Sequence, residues 1–209
     1  RIVEAGKTRT RALARPIAGV SPFRREERRP LEEAVAAGGG WKAAYYLAVL
    51  ESFFGAEGQA RQRLSACGDE PDEWVFYVYR ARHGGDVVKD LLRAEALGGD
   101  WRVGRDLMRH GLSEGNPLHA VEVGQRYLKR YPGTDQLELA YATALHRAGR
   151  NRECVDFLAT VSVLPSEFGD NAHDTWAAAW RALGREDKAA EYPENLGAGD
   201  PRKEERNGK

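Results

Sequence analysis

Glycines recur at a nearly constant interval through this 209-residue chain, and their spacing constrains the fold more than any other feature. Each glycine in the series follows a run of helix-forming residues; the series is Gly55, Gly84 or Gly85, Gly115, Gly149 and Gly184. Glycine commonly follows the last turn of a helix, where the backbone takes a positive φ. Intervals of about 30 to 35 residues leave room for two short helices each. The spacing therefore predicts a series of helix pairs.

Two further residue classes keep the same register as the glycines. A small residue, which lets the two helices of a pair approach closely, stands five positions after the glycine in Ala60, Ala120, Cys154 and Ala189. A large residue stands eight positions before it in Leu47, Phe76 or Tyr77, Leu107, Tyr141 and Trp176. The second pair departs from this pattern, because Lys89 or Asp90 takes the small position. The alternative is an irregular helical bundle in which the spacing is accidental.

The predicted fold class is all-α. The intervals bracket the period of about 34 residues of the tetratricopeptide (TPR) repeat, so we expect a TPR-like right-handed α-solenoid of about five helix pairs plus one or two N-terminal helices. Helices are predicted over residues 26–37, 41–54, 57–66, 72–83, 87–97, 100–112, 116–130, 134–148, 151–160, 170–183 and 185–191. The run WVFYVY has strand propensity, but we predict a helix there because its neighbours are helical. Asp72, Asp100 and Asp170 are predicted to cap helix N-termini.

The two ends of the chain differ from its middle. Residues 1–30 carry nine Lys and Arg against three Asp and Glu, and we interpret residues 1–40 as a basic helical and loop segment. Residues 41–196 hold the predicted repeats, and residues 197–209 read as a flexible polar tail. Because the chain starts at Arg1 with neither Met nor a leader pattern, we expect it to be a piece of a longer protein.

The charge balance argues against two classes of partner. The chain has 32 Lys and Arg and 32 Asp and Glu, whereas nucleic-acid binders usually carry a basic excess. The longest apolar run, residues 43–50, is too short to cross a bilayer. We therefore expect neither a nucleic-acid nor a membrane partner. Two cysteines fit a reducing compartment, so we expect a cytoplasmic location.

The sequence offers no constellation for catalysis. The five histidines, His83, His110, His119, His146 and His173, form no metal-binding motif. No phosphate-binding glycine motif occurs, and adjacent carboxylates such as those of Glu26 and Glu27 point in different directions on a helix. Cys67 and Cys154 are interpreted as buried structural thiols. We therefore expect no catalytic residue, metal or cofactor in this chain.

Several short runs, taken in order, carry a resemblance to a known family. They are SPFRREERRPLEEAV, GWKAAYYLAVL, CGDEPD followed by FY, DWR, LPSE and PENLGAG, and they span roughly residues 15–200. The chain resembles the C-terminal TPR region of large bacterial proteins that carry an N-terminal β-rich domain of unknown function, associated with carbohydrate. Glu73 departs from the pattern at a position where an apolar residue is expected. The resemblance implies a scaffold attached to a sugar-related domain and brings no catalytic residue.

The sequence also predicts a binding surface. In a TPR solenoid the first helix of each pair lines a concave groove, and the register places on it Lys42, Tyr45, Trp74, Arg102, Arg105, Arg109 and Arg147. Arg102, Arg105 and Arg109 share one helical stripe, and arginines suit carboxylates. The groove is thus predicted to hold an acidic peptide or the parent's own β-rich domain. The alternative is that Asp106 and neighbouring acids neutralise the stripe as an ordinary solvated face.

These features favour a non-catalytic protein-interaction or scaffold module. A second hypothesis uses the aromatic residues, since aromatic rings stack on sugars: the chain would be a helical accessory of a carbohydrate-active enzyme and supply Trp74 or Tyr45 to a glycan cleft. Most of the aromatic rows, including Trp41, Phe76 and Trp176, are predicted to be core. The sequence leaves open whether the parent protein is an enzyme. A third hypothesis is that the chain is a purely structural spacer.

Overall fold

The computed structural model describes residues 16, 17, 22, 24–161, 166, 167 and 170–193, and this part of the chain is helical. A 3-10 turn at Arg25–Glu27 precedes eleven α-helices: α1 Arg28–Ala36, α2 Gly40–Phe53, α3 Glu57–Ala66, α4 Trp74–Arg82, α5 Val87–Ala96, α6 Trp101–Ser113, α7 Pro117–Arg130, α8 Asp135–Arg147, α9 Asn151–Leu158, α10 Ala172–Ala182 and α11 Glu186–Ala189. Two strands of two residues, β1 Ser166–Glu167 and β2 Asp170–Asn171, pair antiparallel between α9 and α10. The predicted polar tail, 197–209, lies outside the described residues.

The chain divides into two compact units, Arg1–Gly99 and Asp100–Lys209, which the spacing of the repeats does not predict. In the first unit α1 packs on α2, α2 on α3 and α4 on α5. In the second unit each helix from α6 to α11 packs on the next, and the alternate helices α6 and α8, and α8 and α10, are also in contact. The helices of each unit therefore pack neighbour to neighbour.

The helical prediction is confirmed, including the aromatic run at Trp74–Arg82, although two predicted caps are wrong. Residue 73, not Asp72, stands at the N-cap of α4, and its side chain makes no cap hydrogen bond. Asp170 lies in β2, two residues before α10 begins. Asp100 does cap α6, since its carboxylate accepts the N–H of Arg102 at 2.9 Å.

The glycine register marks five identical turns. Gly55, Gly84, Gly115, Gly149 and Gly184 all have positive φ, from 71° to 96°. At each turn the N–H of the residue after the glycine donates to the carbonyl five residues earlier, at 2.8 to 3.0 Å. This bond caps the carbonyl ends of the first helix of each pair. The five pairs are therefore α2 with α3, α4 with α5, α6 with α7, α8 with α9 and α10 with α11.

Burial follows the same register. The predicted small residues Ala60, Ala120, Cys154 and Ala189 are at most 2% exposed, and the predicted large residues are all buried. In the departing pair Lys89, five residues after Gly84, is exposed, and the buried position falls one residue later, at Asp90, which is 1% exposed. Its carboxylate receives three hydrogen bonds from the guanidinium of the buried Arg80, at 2.6, 3.0 and 3.1 Å, and Arg80 also donates to the carbonyl of Gly68. A buried ion pair thus replaces the usual small-residue contact.

Candidate functional site

In the first unit, polar side chains meet at the N-terminal ends of α2 and α4. The ammonium of Lys42 lies 2.6 Å from Oε1 of Glu73, and both side chains are about one-fifth exposed. Tyr46, one turn after Lys42 on α2, is close enough that Glu73 contributes, after burial, to raising the pKa of its hydroxyl. We call this surface, defined by Lys42, Tyr46 and Glu73, the α2–α4 face.

The α2–α4 face holds a residue from the N-terminal part of the chain. The backbone N–H of Ile17 donates to Oε2 of Glu73 at 2.7 Å, and Ile17 is 1% exposed whereas Pro16 is exposed. The two oxygens of Glu73 therefore have different partners, the ammonium of Lys42 and a main-chain N–H. Charge-assisted bonds of this kind are the stronger class of hydrogen bond. Glu73 is thus the residue that joins a distant chain segment to the first helices of two pairs.

Tyr45, a predicted groove residue, belongs instead to the core. It is 4% exposed, and its ring lies 5.5 Å from Tyr46, 6.0 Å from Phe76 and 5.4 Å from Tyr79 between ring centres. Burial is the main reason that the pKa of its hydroxyl is raised. The expectation that Tyr45 is a ligand contact is therefore corrected, because its ring is enclosed by other aromatic rings. Trp74 is half-buried beside Glu73.

In the second unit the predicted arginine stripe is only partly open. Arg105 is 8% exposed, and its guanidinium lies 2.9 Å from the carboxylate of Asp106 and donates to the side-chain oxygen of Gln136 on α8. It also stands 5.3 Å from the ring centre of Trp101. The expectation of three guanidinium groups facing a groove is therefore wrong for Arg105, which ties α6 to α8.

The remaining predicted arginines are more accessible. Arg102 is exposed, pairs with the carboxylate of Asp100 and lies 4.9 Å from the ring centre of Trp101. Arg109, two turns along α6, is half-buried, and Arg147 is exposed at the end of α8. Because α6 and α8 pack together, these cations lie on two neighbouring first helices.

The structure brings together a serine, a histidine and a glutamate that sequence reasoning did not group. The hydroxyl of Ser52 donates to Glu57 at 2.7 Å, and Nδ1 of His83 lies 3.1 Å from the same hydroxyl and 3.3 Å from Glu57. The His83 ring stacks on Tyr79 at 4.1 Å. A catalytic triad needs the serine and the acid on opposite ring nitrogens. Here both contact Nδ1, and the cluster links the turns that end α2 and α4.

The two thiols have surroundings that suppress reactivity. Cys67 and Cys154 are buried, and burial raises the pKa of both, that of Cys154 to about 12. Each sulfur donates to a backbone carbonyl, that of Arg63 and that of Ala142 respectively. Both are therefore structural residues, because a nucleophile must be a thiolate. Within the described part of the chain, no group of three or more potential metal ligands occurs.

A cleft of about 420 Å³ opens in the first unit between α1, α2 and α3. Most of the apolar wall comes from Trp41, Val35, Ala44 and Ala66, and polar side chains line much of the rest. The polar residues are Gln59, Gln62, Arg63 and Glu70. The Trp41 ring is supported on one side, because it packs edge-on against the ring of Phe76 with 5.6 Å between the ring centres. The arrangement combines an indole with amide and carboxylate groups.

No protein-family model matches the chain, and no curated protein matches it either. Among the described residues, no helix combines the length and the apolar character needed to cross a membrane.

Proposed function

We propose that this chain is a TPR-like right-handed α-solenoid that acts as a non-catalytic protein-interaction module. The five helix pairs share the same turn hydrogen bond and much the same pattern of buried positions, which supports this architecture. The observation that carries the function is the Ile17 contact. The carboxylate of Glu73, at the start of a first helix, binds the main-chain N–H of Ile17. Ile17 is far away in sequence, and its side chain is buried.

The hydrogen bond that Glu73 accepts is strong enough to support this proposal. Glu73 accepts a main-chain hydrogen bond, and such a bond to a charged group contributes about 1.5 to 3 kcal/mol. Main-chain groups are common to all proteins, so a face that captures them accepts extended segments with modest sequence demands. The proposed partner of the second unit is acidic, an acidic peptide or the parent's β-rich domain, because Arg102 and Arg147 are exposed there.

The test is a selection from a displayed random peptide library on the intact chain, followed by calorimetry with the enriched peptides. We expect acidic peptides whose Kd rises at least about tenfold in the triple variant Arg102→Glu, Arg109→Glu and Arg147→Glu. The matched control reverses the three exposed basic residues of the second helix α7: Arg126→Glu, Lys129→Glu and Arg130→Glu. Failure to enrich any peptide, or equal affinity in both triple variants, would remove the proposal.

A second candidate function is glycan binding, which the Trp41 cleft favours. Its indole, two glutamines and Glu70 are the residue types that stack on sugar rings and bond their hydroxyls. In this candidate function we propose Trp41 as the sugar contact instead of Tyr45, because Tyr45 is buried. Calorimetry with a panel of neutral oligosaccharides should give heat that is lost in the double variant Gln62→Ala and Glu70→Ala and kept in Gln125→Ala, on α7. No heat with any oligosaccharide eliminates this candidate.

A further inference from the structure

The Trp41 cleft, between α1, α2 and α3, has two charged residues in its lining, and their surroundings differ. Arg63 is neutralised by the protein itself. Its guanidinium forms two hydrogen bonds with the carboxylate of Glu51, from Nε to Oε2 at 3.0 Å and from Nη2 to Oε1 at 2.7 Å, and the Glu51 side chain is 2% exposed. Bidentate pairs of this kind are strong. Arg63 therefore leaves no unmatched positive charge in the cleft.

Glu70, the other charged residue of the lining, is exposed. With the residues that the structure describes, its carboxylate forms neither a hydrogen bond nor an ion pair. Its charge acts on the cleft, because it contributes, after burial, to raising the pKa of the Cys67 thiol, which also belongs to the lining. The lining thus carries one carboxylate whose charge is not matched.

This carboxylate and the indole lie at the same end of the cleft. The helices α2 and α3 are joined by the short turn at residues 54–56 and run antiparallel, so Trp41, in the first turn of α2, lies beside the end of α3 and the residues that follow it, including Glu70. Gln62 and Gln59 stand about one and two turns before Ala66 on α3. The cleft therefore has an acidic end with an indole wall, and an amide end.

The acidic end suits a cation. A carboxylate accepts hydrogen bonds from an ammonium group, and the face of an indole attracts a positive charge. The indole of Trp41 already has the ammonium of Lys42 5.3 Å from its ring centre, but Lys42 is bound to Glu73 and is not part of the lining. A volume of about 420 Å³ is that of a site for a small ligand. A positively charged nitrogen on a frame with an apolar side matches these features.

We propose that the Trp41 cleft binds a protonated amine, with its ammonium on Glu70 and its frame against Trp41. Charge complementarity carries this choice, because the cation matches the carboxylate that has no partner among the described residues. An amino sugar and an aliphatic amine share this chemistry. An amino sugar rests on the glycan-binding function proposed above and names the charge of that glycan, whereas an aliphatic amine is a ligand of a different class.

The experiment records nuclear magnetic resonance spectra of the intact chain during titration with matched compounds, in a slightly acidic buffer in which the amines are protonated. The glucosamine disaccharide chitobiose is matched by cellobiose, and hexylammonium by hexanol; in each pair a hydroxyl replaces the ammonium. We expect at least one amine to shift the indole N–H signal of Trp41 and the amide signal of Ala66. Its Kd should be at least about fivefold lower than that of its matched alcohol, since a partly open ion pair contributes a free energy of that size.

Three variants test the assignment. Glu70→Gln should raise the Kd of the amine to that of its matched alcohol and leave the alcohol unchanged, because an amide still bonds a hydroxyl but carries no charge. Glu114→Gln, at an exposed carboxylate of the second unit, is the matched control and should change no Kd. Ala66→Phe, at an exposed position of the lining, should fill the cleft and abolish the shifts. Circular dichroism checks the fold, and if Ala66→Phe loses helicity, Gln62→Trp takes its place.

Four results would overturn the inference. They are equal Kd values within both pairs, no shift with any of the compounds, an unchanged Kd of the amine in Glu70→Gln, or undiminished binding in the filled cleft. Binding of one amine alone supports the inference and identifies the source of the ligand. If cellobiose binds but neither amine is preferred over its alcohol, glycan binding stands while this inference falls. The arginine variants test the second unit separately, so their result is independent of this one.

Discussion

Replacing Asp90 by alanine should destabilise the protein although it restores the small residue that the other pairs carry. Asp90 is 1% and Arg80 8% exposed, and their side chains are bonded at 2.6 and 3.0 Å. Removing one partner of a buried ion pair costs about 3 to 5 kcal/mol, because the other charge stays buried. Arg80 keeps the carbonyl of Gly68 and lies 3.7 Å from the exposed carboxylate of Asp69. We therefore expect the lower end, about 3 kcal/mol.

The assay is urea unfolding of the intact chain, followed by circular dichroism at equilibrium. The double variant Arg80→Met and Asp90→Ala removes both charges and should cost less than about 1 kcal/mol, since an apolar pair can replace a buried ion pair. Asp156→Ala, an exposed carboxylate on α9, is the matched control and should change the free energy of unfolding by less than about 0.5 kcal/mol. A cost below about 1 kcal/mol for Asp90→Ala alone, or an equal cost for the double variant, would refute the reasoning.

Three further predictions concern the second unit. Gly104→Ala should lower the free energy of unfolding by about 1 to 3 kcal/mol in urea melts, because a Cβ there would lie closer than 3.0 Å to ring atoms of Tyr127. Gly149→Ala should cost about 1 kcal/mol by the same measurement, because φ is +74° and open space surrounds the position. Burial raises the pKa of Glu138 despite the N–H of Gly133 on its carboxylate, so its protonated form favours the folded state. The stability that it contributes is present below its unfolded pKa and lost as pH rises through the folded value, so Glu138→Gln should be more stable than wild type at neutral pH and lose this advantage in acid. Melts showing no change for the two glycine variants, or a pH-independent difference for Glu138→Gln, would contradict these expectations.

The helix pairs were predictable because their signals are local. A glycine after the last turn, a small residue five positions later and a large one eight positions earlier all act within one pair. Even the strand-like run at Trp74–Arg82 follows its neighbours, since packing overrides a weak propensity. The stacking of the pairs into a right-handed TPR-like solenoid stays a prediction. The resemblance to a region of large bacterial proteins also stays a prediction.

The candidate site was less predictable because its contacts depend on tertiary structure. Spacing placed Arg102, Arg105 and Arg109 on one stripe, but only the packing of α8 decides that Gln136 covers Arg105. Glu73 stood out in the sequence as a charged residue at an expected apolar position. Nothing local, however, indicates that its partner is Ile17.

Glu73, at the start of α4, holds the main-chain N–H of Ile17, and the exchange rate of that amide hydrogen measures this contact. In nuclear magnetic resonance spectra of the intact chain, we predict exchange at least about 100-fold slower than in a peptide of the same sequence, because that N–H is bonded and buried. Glu73→Ala should bring the rate close to the peptide value, whereas Glu57→Ala, at an exposed carboxylate elsewhere in the same unit, should leave it unchanged. An Ile17 amide that exchanges at the peptide rate in the wild-type chain would contradict the account.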